Sequence, residues 1–190
     1  MDFKELLEKR RSIRNFEDTP VGVELVMEML KETTLAPTAS NAQPCNFIIV
    51  MDRAVIKRIS DDSKANLLKE FAVNPHDRLR MYVDVLKDEA FNVFYNAPCL
   101  VLVIGDKGVA TLDFDTALTV AYLMFAATSR GLGTCWINLG ASVRDPDLLR
   151  ELGVSDECRI VAPIILGYPK EVPMASARHD ARVLKVIPGK

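Results

Sequence analysis

The sequence is poor in the residues that most enzymes use for acid–base and metal chemistry. It has two histidines, His76 and His179, and one tryptophan, Trp136. Its four cysteines, Cys45, Cys99, Cys135 and Cys158, are scattered and include no CxxC pair, so the ligand spacing of a zinc site is missing. They sit in apolar surroundings such as "APCLVLVI" and "GTCWIN", which reads as reduced, buried thiols. No GxGxxG turn leaves a strand to open a helix, which removes the doubly wound dinucleotide fold. The "GLG" at 131–133 follows a helical stretch and reads as a cap and turn. The longest apolar run, Ala117 to Ala127, is too short to span a bilayer. The opening "MDFKELLEKRR" is charged and lacks the apolar core of a secretory signal. A cytoplasmic protein with no membrane partner is expected. The formal net charge of −2 lacks the basic excess of a nucleic-acid binder, so none is expected as a partner either.

What is present is a globular composition: 190 residues, 49% hydrophobic and 26% charged. A chain of this length buries roughly 70% of its unfolded surface and needs no covalent staples. With no repeat, low-complexity tract or linker, residues 1–190 read as a single domain. Phe3, Leu6 and Leu7 give a short amphipathic helix, with Asp2 and Glu5 at capping-box spacing. Val23 to Leu35 reads as a second helix, with Val26, Met29, Leu30 and Thr33 on one face and Pro37 ending it. Asp52 caps a helix starting "RAVIKRIS", residues 60 to 76 read as a polar, flexible excursion, and Arg78 to Phe94 as helical. A further helix is expected from about Phe114 to Arg130, with the aspartates of "TLDFD" as caps. It is apolar nearly all round, so it must be covered on every side. Asp145, Pro146 and Gly153 bracket a last helix. Buried strands at 46–51, 98–104 and 159–166, separated by helices, place the chain among α/β or α+β sandwiches. Residues 170 to 190 carry no helical stripe and read as an extended arm.

Two stretches carry chemistry. "KRRSIRNF" crowds Arg10, Arg11 and Arg14 around Ser12. Such a cluster is either a charged helix end that complements the macrodipole or an anion site, where guanidinium forks and a hydroxyl converge on a phosphate. "APTASNAQPCNF" packs Pro37, Thr38, Ala39, Ser40, Asn41 and Gln43 between a helix and a strand. It is either a helix stop with a turn, or a loop that offers hydroxyls and amides to a planar polar ligand.

Four motifs occur in order: "RRSIRNF", "LAPTASNAQPCNF", "GLGTCWI" after an apolar helix, and "ILGYP" after the last strand. Together they resemble the nitroreductase family of flavin mononucleotide (FMN)-dependent oxidoreductases, from residue 10 to about 178. The resemblance implies an α+β fold: a three-layer sandwich whose central mixed, mostly antiparallel sheet is flanked by helices. It also implies a homodimer with FMN at the interface and a C-terminal arm exchanged between subunits. Arg10, Ser12 and Arg14 match the family's N-terminal flavin motif, with Arg11 between them. The first arginine and the serine serve the phosphate end, and the Arg14 position lies by the pyrimidine edge of the ring. Pro37, Thr38, Ala39, Ser40, Asn41 and Gln43 match the loop that reaches the flavin from the partner. Ile137, Asn138 and Leu139 match a segment whose backbone lies against flavin N5 and O4, and Arg178 matches a tail cation that closes on the phosphate. The chain departs from the family in Thr38 for serine, Cys45 for tryptophan and Ser176 for a second tail cation. Trp136 reads as core and Tyr168 as a post-strand turn.

The resemblance implies an enzyme that takes hydride from NADH or NADPH by a ping-pong mechanism. It then reduces a nitroaromatic, a quinone or a similar electron-poor small molecule. The scarcity of histidine suits that chemistry, because a flavin brings its own reactivity and asks the protein for binding, orientation and electrostatics. Alternatives are a reductive dehalogenase or flavin-consuming member of the same fold, or a flavin-binding regulatory module without efficient turnover. A colourless anion- or RNA-binding module would instead show steep salt dependence.

Overall fold

The computed structural model describes residues 1–74 and 76–189. At its centre runs strand β2 (Cys99–Asp106), buried from Cys99 to Gly105. Both of its faces are apolar, so it needs cover above and below, and it forms the middle of a sheet. β2 pairs with β1 (Asn46–Val50) on one side and β4 (Cys158–Gly167) on the other. β3 (Gly133–Trp136) follows at the far edge, giving the order β1-β2-β4-β3. All three ladders are antiparallel. The parallel part of the expected mixed sheet is one bridge, Ser12 to Thr134, on the outer edge of β3. In β4 the register skips Val161 between the partners of Val103 and Ile104, a bulge that adds local twist.

Strand alternation divides the core in two. Leu100, Leu102, Ile104 and Ile165 face a cluster with Ile56, Ile59, Leu67 and Phe71 of α3 (Arg53–Val73), Leu86 of α4 (Val83–Lys87) and Leu148 of α6 (Pro146–Glu151). Cys99, Val101, Val103, Ile164 and Leu166 face Val26, Met29 and Leu30 of α2 (Val23–Thr33) and Val120 and Leu123 of α5 (Leu112–Ser129). Helices therefore cover both sides of the sheet, the three-layer α+β sandwich that was expected. The remaining helix, α1 (Phe3–Lys9), lays Phe3 edge-on against Phe125 of α5, with 6.1 Å between ring centroids.

Two expectations are corrected, and one strand is added to the three expected. Residues 60 to 73 are helix, the second half of α3, and not a flexible excursion. Polar residues interrupt their inward face because they latch loops: the Ser60 hydroxyl accepts from Val93 N at 3.0 Å, and Lys64 Nζ donates to the carbonyls of Asp88 and Phe91, each at 2.7 Å. Asn66 Nδ2 donates to the Ser142 carbonyl at 2.8 Å. The stretch 78–94 is not one helix but a 3₁₀ turn (Arg78–Tyr82), the short α4 and a tight turn. "GTCW" is a strand, too short to show a period of its own.

α5 starts at Leu112 behind Thr111, with neither expected aspartate at the cap position. Within the single chain it leaves Phe114, Leu118 and Tyr122 exposed, one every turn. Beyond β4, Pro169 bridges Phe16, and Lys170 N donates to the Asn15 carbonyl at 3.1 Å. Residues 171–189 then run without regular structure, leaving Met174, Val183, Leu184 and Ile187 exposed. Among the described residues, no helix is long and apolar enough to cross a membrane.

Candidate functional site

The arginine cluster is shaped by β3. After α1 ends, the chain runs beside that strand: Ile13 N donates to the Thr134 carbonyl at 3.0 Å, and Ile13 is buried. This close approach requires Gly133, where a Cβ would lie 2.5 Å from Ile13 Cγ1. With Ile13 turned inward, Ser12 is half-buried beside it and Arg14 is exposed. Phe16 is buried and paired with Pro169, which brings the tail back over this segment. The result is a cleft of about 580 Å³ lined by Arg10, Arg11, Ser12, Arg14, Met174, Ser176 and Arg178, among others. Four predicted cations and one hydroxyl thus meet in one place, and Ser176 stands there too.

Among the described residues these cations are not paired with carboxylates. Six arginines elsewhere, Arg53, Arg58, Arg130, Arg144, Arg150 and Arg159, each hold a carboxylate. Among the described residues, Arg10, Arg11, Arg14 and Arg178 have none within 4.0 Å, although Glu8 lines the cleft. Arg11 Nη1 donates to the Arg10 carbonyl at 2.7 Å. The field reaches Cys135: burial pushes its thiol pKa up, while Arg14, the Ser12 hydroxyl and Arg10 pull it back.

Ile137, Asn138 and Leu139 follow β3. Ile137 is buried and its N–H donates to the Pro163 carbonyl at 2.8 Å. The N–H groups of Asn138 and Leu139 open a 3₁₀ turn (Asn138–Gly140) and take no partner among the described residues. Trp136 is half-buried against the α2–α5 core, as a core reading requires, and its Nε1 has no partner among the described residues.

The loop 37–43 lies elsewhere in the chain. None of its residues lines the arginine cleft; Thr38 and Gln43 border a small recess with Thr33, Cys45, Phe47 and Thr119. Ser40, Asn41 and Gln43 all have φ near +50° (51°, 55° and 47°), and such strain persists only where surroundings over-determine it. Here Gln43 N donates to Thr38 Oγ1 at 3.1 Å, and Ala39 N to Asp115 Oδ1 at 2.9 Å. Asp115 is buried in α5 and also accepts from Thr111 Oγ1 at 2.7 Å. Its position in "TLDFD" looked like a helix cap, and only the tertiary contact shows it as the anchor of this loop.

Sequence reasoning missed Tyr95. Its ring lies under Arg14, with Cζ 5.8 Å from the centroid, and its backbone has φ of +54°. No local signal marks it, because the contact depends on a turn whose conformation tyrosine disfavours.

The family model described as the nitroreductase family matches residues 7–168. A Bacillus subtilis relative whose name assigns it provisionally to the NAD(P)H nitroreductases is 28% identical over 184 residues, covering 94% of this chain and 90% of the relative. Iodotyrosine deiodinase of Thermotoga neapolitana is 29% identical over 187 residues, covering 94% and 95%. Among solved structures, an FMN-bound nitroreductase from Bacteroides fragilis shares the fold with a TM-score of 0.81 and 22% identity, covering both chains fully. The family match runs from inside α1 to the turn after β4 and so contains both the arginine segment and the strained loop: the chain belongs to the nitroreductase family.

Proposed function

We propose that this protein is an FMN-dependent oxidoreductase that draws hydride from NADH or NADPH and, in a separate half-reaction, reduces a small electron-poor acceptor. Nitroaromatics and quinones are the leading acceptor classes. The observation that carries this reading is the convergence of Arg10, Arg11, Arg14 and Arg178 on one cleft, with no carboxylate partner among the described residues. Folding gains nothing from holding four like charges together, so an anionic ligand is the economical explanation. The cleft volume also falls within the roughly 300–1,000 Å³ of small-molecule sites.

The chain's donor set fits FMN. Arg10, Arg11, Ser12 and Arg178 would hold the phosphate. Arg14 would face the pyrimidine edge, where a permanent cation favours the more negative, reduced state. The N–H groups of Asn138 and Leu139, without a partner among the described residues, would supply neutral donors for the ring, whereas Ile137 N is spent on Pro163. When bound, FMN supplies a two-electron redox centre, so no side chain is needed as nucleophile.

The loop Pro37, Thr38, Ala39, Ser40, Asn41 and Gln43 would complete the site from a second copy in a homodimer. Its strain, held by Asp115, supports that role, because an anchored loop arrives pre-shaped. The exposed row Phe114, Leu118 and Tyr122 and the exposed apolar side chains of the tail, such as Met174, Leu184 and Ile187, would supply surface for the same twofold contact.

A second reading, reductive dehalogenation, is favoured by the alignment with the Thermotoga deiodinase along 94% of this chain. Steady-state oxidation of NADH and NADPH with a quinone, a nitroaromatic and a halogenated tyrosine as acceptors separates the two readings. Turnover with the first two supports the proposal, and turnover confined to the third supports the alternative. An FMN-loaded protein that turns over none of them is a binding module.

A further inference from the structure

Arg14 lies against an aromatic ring, with no carboxylate on it among the described residues. Its guanidinium carbon lies 5.8 Å from the Tyr95 ring centroid, and among the described residues it makes no ion pair. That choice of partner leaves the charge available. A carboxylate would fix the guanidinium but cancel its field, whereas a ring fixes a planar cation and leaves its edge donors free.

The ring is delivered at a cost in backbone strain. Tyr95 and Asn96 both have φ of +54°, a region that bulky side chains avoid. The turn is held at several points. Phe94 is fully buried, and its ring occupies the space where a Cβ on Gly140 would sit, at 2.2 Å. Phe94 N donates to Asn92 Oδ1 at 2.9 Å, Tyr95 N to the Asn92 carbonyl at 2.8 Å, and Ala97 N to the Phe94 carbonyl at 3.0 Å. From α3, Ser60 accepts from Val93 N and Lys64 donates to the Phe91 carbonyl. Phe91 then meets the Tyr95 ring edge-on at 5.7 Å and 89°. A glycine at position 95 would satisfy the backbone better, so the tyrosine side chain stands here against local preference.

We infer that Tyr95 is a positioning residue for Arg14: its ring holds the guanidinium at the mouth of the arginine cleft, and it acts on the bound flavin through that cation. The inference rests on the FMN reading above and adds a residue to it. It has two consequences. The flavin potential depends on the π-face at position 95 but not on the tyrosine hydroxyl. The dependence vanishes once Arg14 loses its charge.

The experiment compares Tyr95→Phe, Tyr95→Leu and Tyr95→Gly, each alone and with Arg14→Gln, in FMN-loaded protein. Dye-equilibration potentials and thermal midpoints are both measured. Tyr95→Phe should keep the wild-type potential. Tyr95→Leu and Tyr95→Gly should move it negative by about a third to two thirds of the Arg14→Gln shift, and by nothing further in the Arg14→Gln background. Tyr95→Gly should also melt no lower than Tyr95→Leu, because it relieves the turn, and it serves as the test if the leucine variant fails to fold. A shift that persists in the Arg14→Gln background, or one that Tyr95→Phe shares, overturns the inference, as does the absence of any shift. A wild-type protein that binds no FMN overturns the reading beneath it, which is a different and visible failure.

Discussion

Gly133→Ala tests whether the cleft is built by the packing of Ile13 on β3. The added Cβ would lie 2.5, 2.7 and 2.9 Å from Ile13 Cγ1, Cβ and Cγ2. Carbon atoms pack at about 3.5–4.0 Å, so the two segments must separate by roughly 1 Å. Ile13 cannot swing aside, because it is β-branched, buried and tied to the Thr134 carbonyl. Overpacking of this kind costs about 1–3 kcal/mol, and at about 2–4 °C per kcal/mol for a chain of this size the melting point should fall by roughly 2–12 °C. The movement carries Arg10, Ser12 and Arg14 away from Arg178 on the facing tail. Loss of one charge-assisted hydrogen bond, about 1.5–3 kcal/mol, weakens FMN binding by roughly 10- to 150-fold. Gly131→Ala is the control. It forces alanine to φ of +76° but meets nothing within 4 Å, so it should cost about 1 kcal/mol of stability and leave affinity within about twofold. Thermal melts and FMN fluorescence titrations read both quantities. If the two variants lose affinity equally, or if Gly133→Ala binds like wild type despite a lower melting point, the cleft does not depend on this contact.

The two ends of the arginine segment should separate in function. Arg14→Gln should shift the flavin potential negative by at least about 30 mV, equivalent to 1.4 kcal/mol for a two-electron couple, whereas Arg10→Gln should weaken FMN affinity with little change in potential. A reversed pattern exchanges the two roles. Asp115→Ala removes the acceptor of Ala39 N and Thr111 Oγ1 and should cost about 2–4 kcal/mol in chemical denaturation. Asp115→Asn, which keeps one acceptor, should cost less. Burial pushes the Cys99 thiol from its ordinary 9.0 up to about 12. Between those values the unfolded chain has lost the proton that the folded chain keeps, so stability falls as pH rises, by up to about 1.4 kcal/mol per pH unit. Urea melts from pH 8 to 11 should show that slope, and Cys99→Ala should flatten it.

The fold was most legible where side-chain pattern and local geometry agree. The stripe Val26, Met29, Leu30 and Thr33 is the buried face of α2, and Asp145 caps α6 through the N–H groups of Asp147 and Leu148. Legibility failed where polar groups are buried for tertiary reasons. Ser60, Lys64 and Asn66 break the apolar stripe of α3 because they hold neighbouring loops, and this makes a long helix look like a solvated excursion. β3 was hidden by its length and by a glycine that serves Ile13. In the site, crowding drew attention to Arg10, Arg11 and Arg14 but left a helix end and an anion site both open, and the resemblance decided between them. Arg178 was reached through resemblance only; it lies beyond the family match, and its place in the cleft depends on Pro169 folding the tail back across Phe16. Tyr95 and Asp115 had no readable signal, because one acts from a disfavoured backbone conformation and the other through a contact between distant segments.

The most direct test of the central claim is a fluorescence titration of FMN into the flavin-free protein, with the visible spectrum recorded at saturation. The account predicts quenching that saturates at one FMN per chain, a yellow product, and weaker binding of flavin adenine dinucleotide, whose second phosphate cannot end in a cleft built for a terminal one. A protein that stays colourless and leaves the fluorescence of added FMN unchanged contradicts it.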